Sequence, residues 1–156
     1  MRQLFVDTAF HVALFNDADD LHDRAVRLSD ELTNDLSIQF VTTESVLVEF
    51  LTFVRRGGAQ CRIGAANYVD ALRTKPGVVV LPHAPDLFEA GLDLYRARPD
   101  KSYSMTDCMS MVVCRERGIG DVLTYDRDFE QEGFVAMLRG RVREACHGDW
   151  SRAGRD

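Results

Sequence analysis

Short apolar runs alternating with longer helix-patterned stretches restrict this chain to very few folds. Leu4-Phe5-Val6, Ser37-Ile38-Gln39-Phe40-Val41, Val78-Val79-Val80-Leu81 and Asp121-Val122-Leu123-Thr124 each have the length of a short strand, and 133–138 reads as a fifth. Between them, helical patterns run over 9–16, 21–36, 42–56, 59–73, 86–98 and 104–117. Gly57-Gly58, Pro76-Gly77 and the pair Gly118 and Gly120 punctuate the series. Strands alternating with helices predict an α/β fold, a three-layer α/β/α sandwich with a mostly parallel central sheet. At 156 residues, 46% of them hydrophobic, the chain can bury such a core without disulfides. With no internal repeat and no linker, one domain is expected over 1–138. Residues 139–156 follow as an extension with five arginines against three acids.

Four acids stand where the surrounding pattern does not call for charge. Asp7 follows Leu4-Phe5-Val6 directly, and Asp126 comes two residues after Val122-Leu123-Thr124. Both therefore lie at the carboxyl ends of predicted strands, the edge where an open parallel sheet binds ligands. Either could instead be an ordinary helix cap or turn residue. Glu49 interrupts Val46-Leu47-Val48-Glu49-Phe50-Leu51-Thr52-Phe53-Val54, a helix apolar on nearly every side, which predicts a buried carboxylate. Burial is costly unless the group is paired or bound to a cation, and the plain alternative is an ion pair with an arginine. Glu44, near the start of the same helix, is accounted for by the helix dipole. Asp107 shares a polar stripe with Ser104 and Ser110 on a helix whose other faces carry Met, Val and Cys. Its plain alternative is a solvent-facing stripe capped by Ser104.

Converging carboxylates need compensation, because two charges about 4 Å apart repel by roughly 4 kcal/mol at an effective dielectric near 20. An all-oxygen cluster favours Mg2+ or Mn2+ over zinc, and such ions support in-line displacement at phosphorus. The net charge of −6 excludes a protein that grips nucleic acid over its whole surface. It does not exclude a nuclease, since bound cations offset an acidic site.

Four segments recur here in a familiar order. They are Val6-Asp7-Thr8, then Thr42-Thr43-Glu44-Ser45-Val46-Leu47-Val48-Glu49, then Ser104-Met105-Thr106-Asp107-Cys108, and finally Thr124-Tyr125-Asp126-Arg127-Asp128-Phe129 followed by Gly133-Phe134. Together they resemble the PIN-domain nucleases, and among these the single-domain toxins of VapC-type toxin–antitoxin pairs. The resemblance implies that Asp7, Glu49, Asp107 and Asp126 bind a divalent metal and that Thr8, Ser104 and Thr124 support them. Asp128 could replace or assist Asp126. It further implies a metal-dependent ribonuclease that hydrolyses RNA phosphodiester bonds with metal-activated water. A homodimer and a small antitoxin protein that blocks the site complete the expectation. A housekeeping RNA-processing nuclease, or a PIN-like module that binds RNA or protein without cutting, are the alternatives.

Other chemistries lack their signatures. There is no G-x-x-x-x-G-K-[ST], G-x-G-x-x-G or H-E-x-x-H, and His11, His22, His83 and His147 have no ligand spacing. A receiver-like phosphoacceptor domain would offer a lysine beside its acids, but Lys75 and Lys101 are the only lysines and neither follows a strand. Cys61, Cys108, Cys114 and Cys146 lack C-x-x-C spacing and read as reduced thiols of a cytoplasmic protein. No leader is expected, and no apolar run approaches the roughly 20 residues of a membrane span.

Overall fold

The computed structural model describes residues 1–140. Most of the arginine-rich extension, with Cys146 and His147, lies outside the described residues. Strands β1 (Arg2–Val6), β2 (Ile38–Thr43), β3 (Val78–Leu81), β4 (Asp121–Leu123) and β5 (Val135–Ala136) form one sheet in the order β3-β2-β1-β4-β5. Every neighbouring pair is parallel. The helices are α1 (Thr8–Phe15), α2 (His22–Thr33), α3 (Glu44–Val54), α4 (Ala59–Thr74), α5 (Pro85–Ala97), α6 (Met105–Arg117) and α7 (Arg127–Gln131). None of the described helices is long and apolar enough to cross a membrane.

The sheet separates two apolar layers because successive side chains of a strand point to opposite faces. Phe5 is level with Val41 of β2 and Val122 of β4, and all three enter a core completed by Val46, Met111 and Val113. The next residues, Val6 and Leu123, enter the opposite core with Phe10, Ala13, Ala25 and Leu138. A third cluster joins α1, α3 and α4 through Val12, Phe50 and Ala65, with Phe15 and Tyr68 against it.

Two elements differ from the sequence expectation. The final strand is only two residues long, because the chain turns into a single 3-10 turn, Met137–Arg139. There the Leu138 amide donates to the Thr124 carbonyl at 3.0 Å, and its side chain is fully buried. Helix α7 occupies a stretch that showed only a loop in the sequence, and Asp126 caps it by accepting from the Asp128 amide at 2.9 Å.

Helix α6 is seated by close packing on α5. A Cβ at Gly91 would stand 2.6 Å from Met109 Cγ and 3.3 Å from the Met109 nitrogen. Gly91→Ala should therefore lower stability by about 1–3 kcal/mol, read as an earlier urea midpoint. An unchanged midpoint would mean that α5 and α6 separate freely at this contact.

The strand order fixes where a ligand site belongs. The chain builds outward from β1 through β2 to β3, then returns to place β4 on the other side of β1. The carboxyl ends of β1 and β4 thus flank the point where the order reverses, and the crevice of such a sheet opens there.

Candidate active site

Asp7 and Thr124 are the residues that leave those two strand ends. The Asp7 amide donates to the Leu123 carbonyl at 3.2 Å, tying the end of β1 to β4. Asp7 occupies the N-cap position of α1, and its carbonyl accepts from Phe10 and His11, yet its side chain makes no capping bond. The carboxylate instead accepts from the Thr124 hydroxyl through Oδ2 at 2.9 Å. Its other oxygen, Oδ1, is buried and has no hydrogen-bond partner among the described residues. A capping role would use that oxygen, so the cap reading does not explain Asp7. Thr124 also accepts from the Asp126 amide at 3.1 Å, so one hydroxyl orients both acids that flank the crevice.

Asp107 arrives from the first turn of α6. Ser104 caps that helix by accepting from the Asp107 amide at 3.0 Å, and the Asp107 carboxylate accepts from the Ser104 amide at 2.9 Å. This reciprocal box holds the acid by a local motif. The stripe it belongs to faces inward, since Asp107 and Ser110 are buried, and the Ser110 hydroxyl likewise lacks a partner among the described residues.

Asp107, Asp126 and Asp128 each offer an oxygen, and these oxygens all lie within 4.8 Å of one another. Both acids of the α7 start therefore join Asp107, which the sequence had left as a choice between them. Glu49 is half-buried, contrary to the expectation of full burial. The helix carrying it buries Val46, Leu47 and Phe50 but leaves Val48 63% and Phe53 66% exposed, so its apolar composition did not mean that every face was covered. Glu49 forms no arginine pair among the described residues and accepts from the Thr8 hydroxyl. Glu44 accepts from the His83 amide at 2.8 Å and stays a structural residue of the α3 start.

Burial and mutual repulsion show in the proton affinities. The Asp7 carboxyl is pushed up to about 7, first by burial and then by the Asp107 charge, with Glu49 adding to it and the Thr124 hydroxyl and the nearby Thr8 amide opposing it. Asp107 is pushed up to about 6, again first by burial, with the Asp126 and Glu49 charges adding to it and bonds to Ser104 opposing. Asp128 is also raised, by burial and by Asp126. Neighbouring negative charges thus link all five acids, and the ionised cluster calls for a cation. The donors are all oxygen, and Asp7 Oδ1 is an acceptor without a donor. That combination fits a hard divalent ion. Cys61, Cys108 and Cys114 are free thiols, and burial pushes Cys108 up, away from the thiolate a nucleophile would need.

One supporting network carried no signal in the sequence. The Thr42 hydroxyl donates to the Val6 carbonyl at 2.9 Å, so His11 Nε2 must donate to Thr42, at 3.3 Å. His11 is fully buried and neutral, with burial taking its pKa down to about 3. Its Nδ1 therefore accepts from the Tyr68 hydroxyl at 2.9 Å. This relay braces the residue before Asp7 from as far away as α4. Tyr68→Phe should cost about 1–3 kcal/mol by leaving His11 Nδ1 buried and unpaired. Urea unfolding would show it, and equal stability would remove the relay from the account of the fold.

Fold and site together define a PIN-type nuclease. The chain belongs to the PIN domain family, which matches residues 4–135. The 23S rRNA-specific endonuclease VapC20 of Mycobacterium tuberculosis, in two strains, is 33% identical over 134 residues. The match covers 86% of this chain and 97% of that protein. A crystal structure of Mycobacterium tuberculosis VapC20, described as a Sarcin-Ricin loop cleaving toxin, is similar at a TM-score of 0.73 and 33% identity. It covers 85% of this chain and 97% of that one.

Proposed function

We propose that this protein is a VapC-type toxin that hydrolyses phosphodiester bonds of structured RNA, with Mg2+ or Mn2+ held by Asp7, Glu49, Asp107 and Asp126 and assisted by Asp128. The observation that carries the reading is the buried, unpartnered Oδ1 of Asp7 in a cluster of five acids. When bound, a divalent ion supplies positive charge against a phosphoryl oxygen and makes water more acidic. The chain's own residues do the placing. Thr124 orients Asp7, Thr8 orients Glu49, and the Ser104 box holds Asp107. With no cation bound, the raised carboxyls keep their protons to higher pH than ordinary acids, Asp107 to about 6 and Asp7 to about 7, and cation binding in that range displaces them.

The relatives' substrate, a loop of 23S ribosomal RNA, makes ribosomal RNA the first substrate to try. By the same kinship the proposal includes a small antitoxin that blocks the site, and a homodimer. It also includes a single nuclease unit over 1–138, followed by an arginine-rich extension. Incubation of the purified protein with ribosomal RNA, followed by sequencing of the RNA ends, tests the activity. New ends at discrete positions should form with Mg2+ or Mn2+ and vanish with a chelator, whereas full cleavage in excess EDTA would overturn the assignment.

A further inference from the structure

A cavity of about 120 Å³ lies at the C-terminal end of α5, lined by Tyr95, Arg98, Pro99, Lys101 and Tyr103. It adjoins the acid cluster through the chain itself, because Tyr103 precedes Ser104, the cap that positions Asp107. Its inner wall is fixed. Tyr103 is buried and its hydroxyl donates to Glu132 at 3.1 Å, while Arg98 Nε donates to the same carboxylate at 2.8 Å. Glu132 is also paired with Arg115, so two guanidinium groups neutralise it.

The outer wall is free to bind. The Lys101 ammonium is paired with Asp100 alone among the described residues, at 3.6 Å, with Asp100 68% exposed. A solvent-exposed pair of this kind contributes little and yields readily to a stronger anion. The Lys101 charge also acts on Asp128, where it partly opposes the rise that burial and Asp126 cause. The Tyr95 ring stands 52% exposed at the same cavity. A volume below the roughly 300 Å³ of an ordinary small-molecule pocket suits a single phosphate rather than a whole ligand. A cation and an exposed aromatic face side by side are the two elements that bind single-stranded nucleic acid.

We infer that this pocket is a substrate subsite, in which Lys101 takes a backbone phosphate of the RNA beside the scissile bond and Tyr95 stacks on the adjoining unpaired base. The inference rests on the ribonuclease reading above and adds how an acidic protein holds an anionic strand. Of the chain's two lysines, this one lies three residues before Ser104, the cap of the helix that carries Asp107, and lines the pocket. Binding is measured with the full chain in Mg2+, using a fluorescent, phosphorothioate-linked RNA of mixed sequence about twelve nucleotides long, within the usual site size for such surfaces.

Lys101→Ala should weaken binding about tenfold and reduce the slope of log affinity against log salt by about 0.7. Tyr95→Ala should weaken binding about tenfold with the slope unchanged. Lys75→Ala, at the exposed end of α4, serves as the control and should bind like the parent. Cleavage of ribosomal RNA by the parent is followed in parallel. A parent that cuts RNA while Lys101→Ala and Tyr95→Ala bind as tightly as it does would overturn the subsite and leave the nuclease assignment standing. A parent that neither binds nor cuts would overturn both.

Discussion

Asp7→Asn should lower RNA cleavage by at least about a hundredfold while making the metal-free protein more stable. The two effects share one cause. Asn retains a carbonyl oxygen for the Thr124 hydroxyl, so the local hydrogen bond survives. It removes the negative charge from a site where burial and the Asp107 and Glu49 charges already oppose ionisation. At pH 8 the parent must keep that carboxylate ionised and buried, and the variant has nothing to ionise. Relief of that penalty should raise metal-free stability by roughly 2 kcal/mol or more. Metal affinity falls because the cluster loses the buried oxygen that no donor satisfies. A residue that served only as a helix cap would leave both cleavage and stability nearly unchanged, since Asn caps as well as Asp. Cleavage assays and metal-free thermal melts on the same preparation decide between them. Parental cleavage in Asp7→Asn would sink the metal-site reading.

That variant would be stable for the same reason that the acids were visible in the sequence. A charge directly after Leu4-Phe5-Val6 is conspicuous because the strand before it is apolar. Asp7 therefore stood out, and so did Glu49 among Val46, Leu47, Val48 and Phe50. Four strands and six helices were likewise legible, since periodicity of 2 or 3.6 is a local property. Pairing is not local, and no pattern within β1 says that Phe5 will be level with both Val41 and Val122. The order β3-β2-β1-β4-β5, which places Asp7 opposite Thr124, becomes visible only once the strands are assembled.

Composition misled at α3, where apolar residues occupy an outer face as well as an inner one. Val48 and Phe53 are exposed while Phe50 is fully buried. Five residues were too few for α7 to show a period, although Asp126 followed by Asp128 and Glu130 is a recognisable acidic helix start. The relay from Tyr68 through His11 to Thr42 joins residues 57 and 31 positions apart and had no spacing to betray it.

The site can be acidic and still belong to a stable fold because its members are held by groups that do not depend on their charge. Hydroxyls of Thr8 and Thr124 and the backbone at Ser104 and Asp128 position the acids whether or not they carry protons. The scaffold is therefore expected to exchange protons for a cation without rearranging.

That exchange leads to the second large effect, a metal-induced rise in melting temperature that grows with pH. The carboxyls of Asp7 and Asp107 sit at about 7 and about 6 in the folded, metal-free chain, against an ordinary value of 3.8 that applies once it unfolds. Between about 4 and about 6 the folded chain holds two protons that the unfolded chain has released, so these groups lose stability as pH rises. Below that window both states are protonated, and above about 7 both are ionised and the loss is complete. His11 acts in the opposite direction. It is held neutral down to about 3 when folded and titrates near 6.5 when unfolded, so stability from this group rises with pH between those values. The metal-free curve is therefore the difference of the two contributions, a net fall of about one proton's worth between pH 4 and 6. His11 is equally buried with or without metal, so it cancels when melts in Mn2+ are compared with melts in EDTA. A bound cation favours the ionised carboxylates and must displace their protons at low pH, which weakens binding there. The difference in melting temperature should be small at pH 5 and larger by about 4 °C or more at pH 8. A metal shift of the same size at both pH values would mean that the ion binds without displacing protons from Asp7 and Asp107, and the cluster would not be its site.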